Sequence, residues 1–558
     1  MDFIVAQLLT GLAGASSLFL VASGLSLIFG VTRIVNFAHG SLYMFGAYLA
    51  VSLSEPLGFW LALPASALIV GLGGALLERF LLSRLYGAPE LLQLVATFAL
   101  VLIAQDAALH IWGADDLLGP RAPGLAGAVS LMGQSIPEYD LFLIALGPLV
   151  LAGLWFVMQR TRFGMLVRAA TQDGEMAAAL GINRKRLFTL VFFFGAALAG
   201  LGGAARMPLE PANLRMDLNI IAEAFVVVVI GGMGSLPGAY LAALLIGVVR
   251  AFGIVLFPEI TLVLVFLVMA VVLVVRPWGL LGQPEGIRHA TAPAPYLAKP
   301  GRRFALISLV ALAAAALLPL VLESYGLTVA TEILVFMLFA ASLHVIMGIG
   351  GLVSFGHAAY LGLGAYGAAL VVTKLGGGMA AGLLAAPVVA ALGAAVFGWF
   401  CVRLSGVYMA MLTLAFAQIV WSALFQWTAV TGGDNGLLGL WPPKPFHRPA
   451  AFYWLVLGLT AGGLVLYLKG LFGPFGYGLR ALRDARARAE ASGLDGRGQQ
   501  WRAFILAGAG AGLAGGLYAF LKGSVFPDVA AIPISVDGLV MVLLGGVESL
   551  TGPLFGAG

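Results

Sequence analysis

Charge is scarce in this chain: Asp, Glu, Lys and Arg make up 10% of its 558 residues, against 61% hydrophobic ones. A water-soluble globular chain carries about a quarter charged residues, so a soluble enzyme or a free binding module is excluded. Cysteine is nearly absent. The single Cys401 rules out an internal disulfide and any cysteine-based metal cluster, and it is expected to pack as a small apolar residue. No His-Glu-x-x-His spacing is present to hold zinc. A glycine-rich phosphate loop is missing too, because the lysines are followed only by Arg, Leu, Pro or Gly, never by the Ser or Thr that an ATP-cradling lysine needs. Aromatic and basic residues do not interleave as a base-stacking surface would require. The net charge of +5 lies in loops, where it orients a membrane protein rather than binding nucleic acid. The start, Met1-Asp2-Phe3-Ile4, has no basic n-region, so no removed signal peptide is expected.

What is present is apolar sequence in runs of about 20 residues, the length that crosses a bilayer as a helix. Inside hydrocarbon a helix satisfies its own backbone, so the expected fold class is all-α polytopic transmembrane, with about 15 to 16 membrane segments. They read near 4–30, 36–54, 59–82, 91–112, 141–158, 187–205, 223–250 and 260–276, then 304–322, 328–347, 353–373, 380–402, 407–428, 452–470, 503–521 and 536–558. The 76 glycines fall inside these runs, where small residues let helices approach closely. Between the sets, residues 277–303 are rich in Pro and carry Arg288, Lys299, Arg302 and Arg303, which reads as a water-exposed cytoplasmic linker. The chain therefore divides into a half at 1–276, the linker at 277–303 and a half at 304–558.

The two halves repeat each other. Phe37, His39, Gly46, Ala47 and Tyr48 recur as Phe355, His357, Gly364, Ala365 and Tyr366, a constant displacement of 318 residues. Further on, Phe163-Gly164, Arg168 and Gly181 recur as Phe475-Gly476, Arg480 and Gly493, and the block Ile230–Gly238 returns as Leu544–Gly552. Three matching blocks in one order mark two homologous membrane modules.

Basic loops set their orientation. The loop 160–186 holds Arg162, Arg168, Arg184 and Lys185, its counterpart adds Arg483, Arg486, Arg488 and Arg497, and both are expected to be cytoplasmic. Counting back places the N-terminus outside. A cytoplasmic linker then demands an odd number of crossings before it, whereas eight segments precede it, so one should re-enter. The expected one is 223–250, interrupted by Gly231-Gly232 and by Gly234 to Gly238. The unmatched segment 304–322 restores the second half to the orientation of the first, making the repeat parallel.

The candidate functional residues lie in the paired basic loops: Arg168, Asp173, Glu175 and Gly181 in the first, Arg480, Asp484, Glu490 and Gly493 in the second. A charged surface helix fixed between two membrane helices is a handle that a motor could grip. Asn36, His39, Ser354 and His357 sit where a helix begins in each copy. They are expected to make structural hydrogen bonds near the membrane face or to line a pathway, since no nucleophile and base accompany them. Asp106 and His110, four residues apart near a helix end, share a face within reach of water. Apart from Asp106 the spans read as nearly free of acids.

The blocks VNFAHGSLYMFGAY, RTRFGMLVRAATQDGEMAAALGIN and IGGMGSLPGA resemble the LivH-type permease subunit of branched-chain amino-acid ABC importers. VSFGHAAYLGLGAY, GPFGYGLRALRDARARAEASGLD and LGGVESLTGP resemble the LivM-type subunit. The resemblance implies a transport permease, not an enzyme, in a bacterial plasma (inner) membrane. It also implies two separate ABC ATPase subunits that bind ATP and Mg, and a periplasmic or lipid-anchored binding protein that delivers substrate, with no cofactor in this chain. The two subunits are ordinarily separate chains and here are joined. The second half stops at Gly558, before the final span that the first half has after its glycine block. Permeases for urea and short amides look similar, and the residues leave open an ion-coupled carrier or a passive channel.

Overall fold

A computed structural model of the chain describes residues 2–86, 88, 90–131, 134–282, 299–549 and 551–558. It is helical nearly throughout, and 13 helices among the described residues are long and apolar enough to cross a membrane. Two compact units, Met1–Glu285 and Gly286–Gly558, divide it.

The first unit contains α1 (Asp2–Thr32), α2 (His39–Leu57), α3 (Phe59–Phe80), α4 (Glu90–Trp112), α5 (Glu138–Arg160), α6 (Arg162–Gln172), α7 (Gly174–Ala179), α8 (Arg184–Arg206), α9 (Met216–Gly231), α10 (Leu236–Leu256) and α11 (Thr261–Val275). Between α4 and α5 lies a hairpin of β1 (Ala128–Leu131) and β2 (Gln134–Pro137), antiparallel with Val129 opposite Ile136. Helix α8 packs against α1, α2 and α3, because its small residues form flat contact faces. A Cβ on Gly46 of α2 would strike the Gly200 backbone, and one on Gly203 would strike the Tyr43 carbonyl. Dispersion between close-packed backbones supplies what the hydrophobic effect cannot supply in lipid.

The second unit repeats this with α12 (Arg302–Leu317), α13 (Ser324–His344), α14 (Ala358–Thr373), α15 (Met379–Cys401), α16 (Gly406–Gln426), α17 (Thr428–Thr431), α18 (Pro449–Leu471), α19 (Pro474–Ala491), α20 (Gly496–Lys522), α21 (Ile532–Gly545) and α22 (Gly552–Ala557). Helix α20 packs against α13, α14 and α15. A Cβ on Gly364 would strike Gly512, and one on Gly515 would strike the Leu361 carbonyl, so the small-residue crossing is copied residue for residue. Strand β3 (Leu437–Leu438) pairs with β4 (Ser524–Val525). Helix α12, the span without a counterpart, buries none of its residues and is tied to α18 by hydrogen bonds from Tyr453 and Trp454 to the carbonyls of Ala315 and Ala316. Cys401 is buried.

The segment 223–250, expected to re-enter, is a hairpin of α9 and α10. Glu223 pairs with Arg250 at 3.0 Å, while Gly231 abuts Gly238, a register that only antiparallel helices give. Gly232, at φ 98°, ends α9, and the Ser235 hydroxyl accepts from Gly238 N at 3.1 Å to cap α10. The chain therefore turns back towards the side it came from. The glycine block of the second unit does the same between α21 and α22, with Gly546 also at φ 98°. The first residues of the linker are tied to α9: Leu280 and Leu281 donate their amides to the carbonyls of Ile230 and Gly231 at 2.7 and 3.0 Å, partners for the carbonyls that a helix end leaves unpaired. Lys299, Arg302 and Arg303 are described, whereas Arg288 lies outside the described residues.

Candidate functional site

The paired loops fold into the same two-part handle. In the first unit α6 and α7 meet at Asp173, whose backbone leaves the helical region at φ −145°, ψ 95° and whose carboxylate accepts from the amides of Glu175 and Met176. In the second, α19 is kinked at Ala485, at φ −155°, ψ 75°. The displacement of 312 residues that relates Arg168 to Arg480 also relates Asp173 to Ala485. The bend is shared, but only the first copy has a side chain that caps it.

Each handle closes with the same turn. Gly181 at φ 85° and Gly493 at φ 92° occupy the left-handed region, and the amides of Ile182 and Leu494 reach back to the carbonyls of Ala177 and Ala489. This is a Schellman closure, in which glycine avoids the Cβ clash of the left-handed conformation. Ala177 and Ala489 are both buried beneath it. At the opposite end, the Phe-Gly pair has a packing reason. A Cβ on Gly164 would strike the Met158 carbonyl, and one on Gly476 the Leu471 carbonyl, so each handle folds tightly against the end of the preceding span.

Arg168 and Arg480 act at that junction. Arg168 donates to the Met158 carbonyl, and Arg480 donates to the carbonyls of Leu471 and Gly476 while lying over the rings of Tyr477 and Phe472. Arg480 is 9% exposed. It therefore braces the handle from inside. Asp484 pairs with Arg483 at 2.8 Å and Glu490 with Arg486 at 2.9 Å, both on α19 itself, whereas Glu175 is exposed.

His39 and His357 mark a second place. Both are fully buried. His39 Nε2 lies 3.0 Å from the Val21 carbonyl. Helix α1 has 31 residues, so Val21 stands about 16 Å from its Thr32 end at 1.5 Å per residue. The histidine is thus well inside the helix bundle. In the second unit the contact has an extra link: His357 Nε2 lies 2.7 Å from the Ser342 hydroxyl, which donates to the Phe339 carbonyl at 2.6 Å. Ser342 stands where the first unit has Gly24, whose missing side chain leaves His39 room to approach. Asn36 Oδ1 accepts from Ala38 N at 3.1 Å, and Ser354 is buried with no partner for its hydroxyl among the described residues. Asp106 and His110 are exposed on α4.

Beside His39 two helices begin head to head. Ser41, in the first turn of α2, donates to Asp217, in the first turn of α9, at 3.2 Å, and Gln105 of α4 donates to the same carboxylate at 3.0 Å. The Leu218 amide adds a third donor at 2.7 Å. A carboxylate there opposes the positive ends of both helices. Sequence reasoning missed Asp217 by starting the segment at 223, although an acid ahead of an apolar run is a helix-start signal. In the second unit, the Ser535 hydroxyl accepts from Ala358 N at 2.9 Å, so a neutral cap does the corresponding work at α14. Glu78, 1% exposed, was missed as well. It accepts from Tyr86 and Thr189, both at 2.6 Å, and burial followed by this carboxylate raises the Tyr86 pKa.

The family described as "Branched-chain amino acid transport system / permease component" matches residues 7–273 and 325–558. The chain is 32% identical over 295 residues to the high-affinity branched-chain amino acid transport system permease protein BraD of Pseudomonas aeruginosa, covering 50% of this chain and 96% of that one. The corresponding permease protein LivH of Salmonella typhimurium is 28% identical over 298 residues, 51% of this chain and 97% of LivH. LivM of Escherichia coli is 31% identical over 273 residues, 44% of this chain and 63% of LivM.

Proposed function

Since the chain belongs to the branched-chain amino acid transport system permease family, we propose that it forms the membrane pathway of an ATP-binding-cassette importer for branched-chain amino acids. In this reading the whole translocation unit is one polypeptide, separate ATPase subunits drive it, and a soluble protein feeds it from outside a bacterial inner membrane. The observation that carries the reading is the duplicated handle. Two copies share a bend at Asp173 and Ala485 and a closure at Gly181 and Gly493, each held rigidly against a membrane helix, as two copies of an engine would need.

The handles would transmit ATPase closure because they are short and braced. Arg480 and the glycine contacts with Met158 and Leu471 couple each handle to the end of α5 or α18. A push on the handle then tilts the span rather than bending a loop. Charge reversal tests this: Glu175→Lys with Arg488→Glu should cut ATP-dependent uptake into proteoliposomes at least about tenfold, since charges at docking surfaces control association, while the amount of folded protein stays unchanged. Full uptake by the double variant without any ATPase would sink the importer reading.

One observation favours a carrier instead. A buried acid between two interrupted helices is what ion-coupled transporters use, and Asp217 is such an acid. Its three donors are already in place, which suits a fixed structural joint. Uptake that follows a proton or sodium gradient and ignores ATP would reverse that judgement. Competition of leucine uptake by urea or acetamide separates the amide-transport alternative.

A further inference from the structure

We propose that the two handles seat in chemically different grooves, α7 in an apolar one through Met176 and Leu180, and the end of α19 in an acidic one through Arg488. The proposal rests on the importer reading and deepens it. Because the bend, the buried alanine and the closing glycine keep one register in both copies, the outward positions can be compared one by one. Glu175, Met176 and Leu180 in the first copy stand where the second has Ala487, Arg488 and Ser492.

Met176 and Leu180 are 57% and 76% exposed. Lipid does not cover them, because exposed Asp173, Glu175 and the run Arg184, Lys185 and Arg186 surround them in the chain and hold the tip in water. Two large apolar side chains kept in water at the tip of a rigid turn are anchors for a protein groove, and the unbranched Met can adjust to its walls. On the second handle, Arg483 is engaged by Asp484 and by the Gly348 carbonyl, and Arg486 by Glu490. Arg488 is exposed and makes no ion pair among the described residues. Its neighbours Ala487 and Ser492 are small, so a partner surface can close around the guanidinium, and the group that satisfies it is a carboxylate. The two seats are then not interchangeable.

The test uses the full chain in lipid nanodiscs and purified ABC ATPase subunits from the source organism. Ala179→Cys and Ala491→Cys, equivalent exposed positions, each carry a fluorophore that reports docking at its own handle, while buried Cys401 stays unlabelled. Arg488→Glu should weaken docking at the second handle at least about tenfold at low ionic strength, with the difference fading at high salt, and leave the first unchanged. Met176→Ser with Leu180→Ser should weaken docking at the first handle at least about tenfold at both salt levels. Equal salt dependence at the two handles, or affinity untouched by either variant, overturns the proposal but leaves the importer reading standing. No docking by the parent chain overturns both.

Discussion

At the scale of single residues, the buried polar groups show how this chain handles polarity away from water. Asp217 is 1% exposed, and its carboxylate gathers donors from α2, α4 and its own helix. Asp217→Ala would strand the Ser41 hydroxyl, the Gln105 amide and the Leu218 N–H, at about 1–3 kcal/mol for each buried group left without a partner. The expected result is a clear drop in thermal stability in detergent, with Asp217→Asn, which keeps an acceptor, losing less. A double-mutant cycle with Gln105→Ala should give a coupling of about 0.5–3 kcal/mol, and strict additivity would show that the two side chains do not interact. The histidines obey the same rule. Each reaches a carbonyl of the neighbouring helix, one directly and one through Ser342, so the histidine was kept while the route changed.

At the scale of elements, the handles separate what the repeat preserves from what it releases. The bend persists at Ala485 without the capping carboxylate that Asp173 supplies, so packing against the preceding span, not the cap, sets the backbone there. An N-cap is worth about 0.5–2 kcal/mol. Asp173→Ala should therefore speed amide hydrogen exchange in residues 174–180, and Ala485→Asp should slow it in residues 486–491. An unchanged second handle would mean that the Ala485 geometry cannot accept a cap. Helix α12 lies at the other extreme. With no buried residue, it is held by its apolar surface in lipid and by two hydrogen bonds to α18.

At the scale of the whole molecule, the repeat makes a topological claim that labelling can check. Met165→Cys and Tyr477→Cys occupy equivalent exposed positions on the handles. Both should react with a membrane-impermeant thiol reagent from the cytoplasmic side alone, against a low background because Cys401 is buried. Labelling of the two from opposite sides would contradict a parallel repeat.

Much of this was already present in the order of residues. Apolar runs of membrane length dictate helices, because in hydrocarbon the backbone has no other partner, and motifs at constant displacement reveal two copies regardless of their packing. Gly181 and Gly493 were legible as recurring positions at constant spacing, while their left-handed conformation, which glycine adopts without a Cβ clash, is seen only in the fold. Folding decided what depends on residues far apart in the chain. Only tertiary contact pairs Glu223 with Arg250 across the α9–α10 hairpin, brings Asp217 to Ser41 across 176 residues, and turns Arg480 inward while Arg488 faces out. Hydropathy averaged over a window cannot see which neighbour a polar side chain will meet, and in a lipid-bound chain that neighbour determines whether a charge is a joint, a brace or a contact.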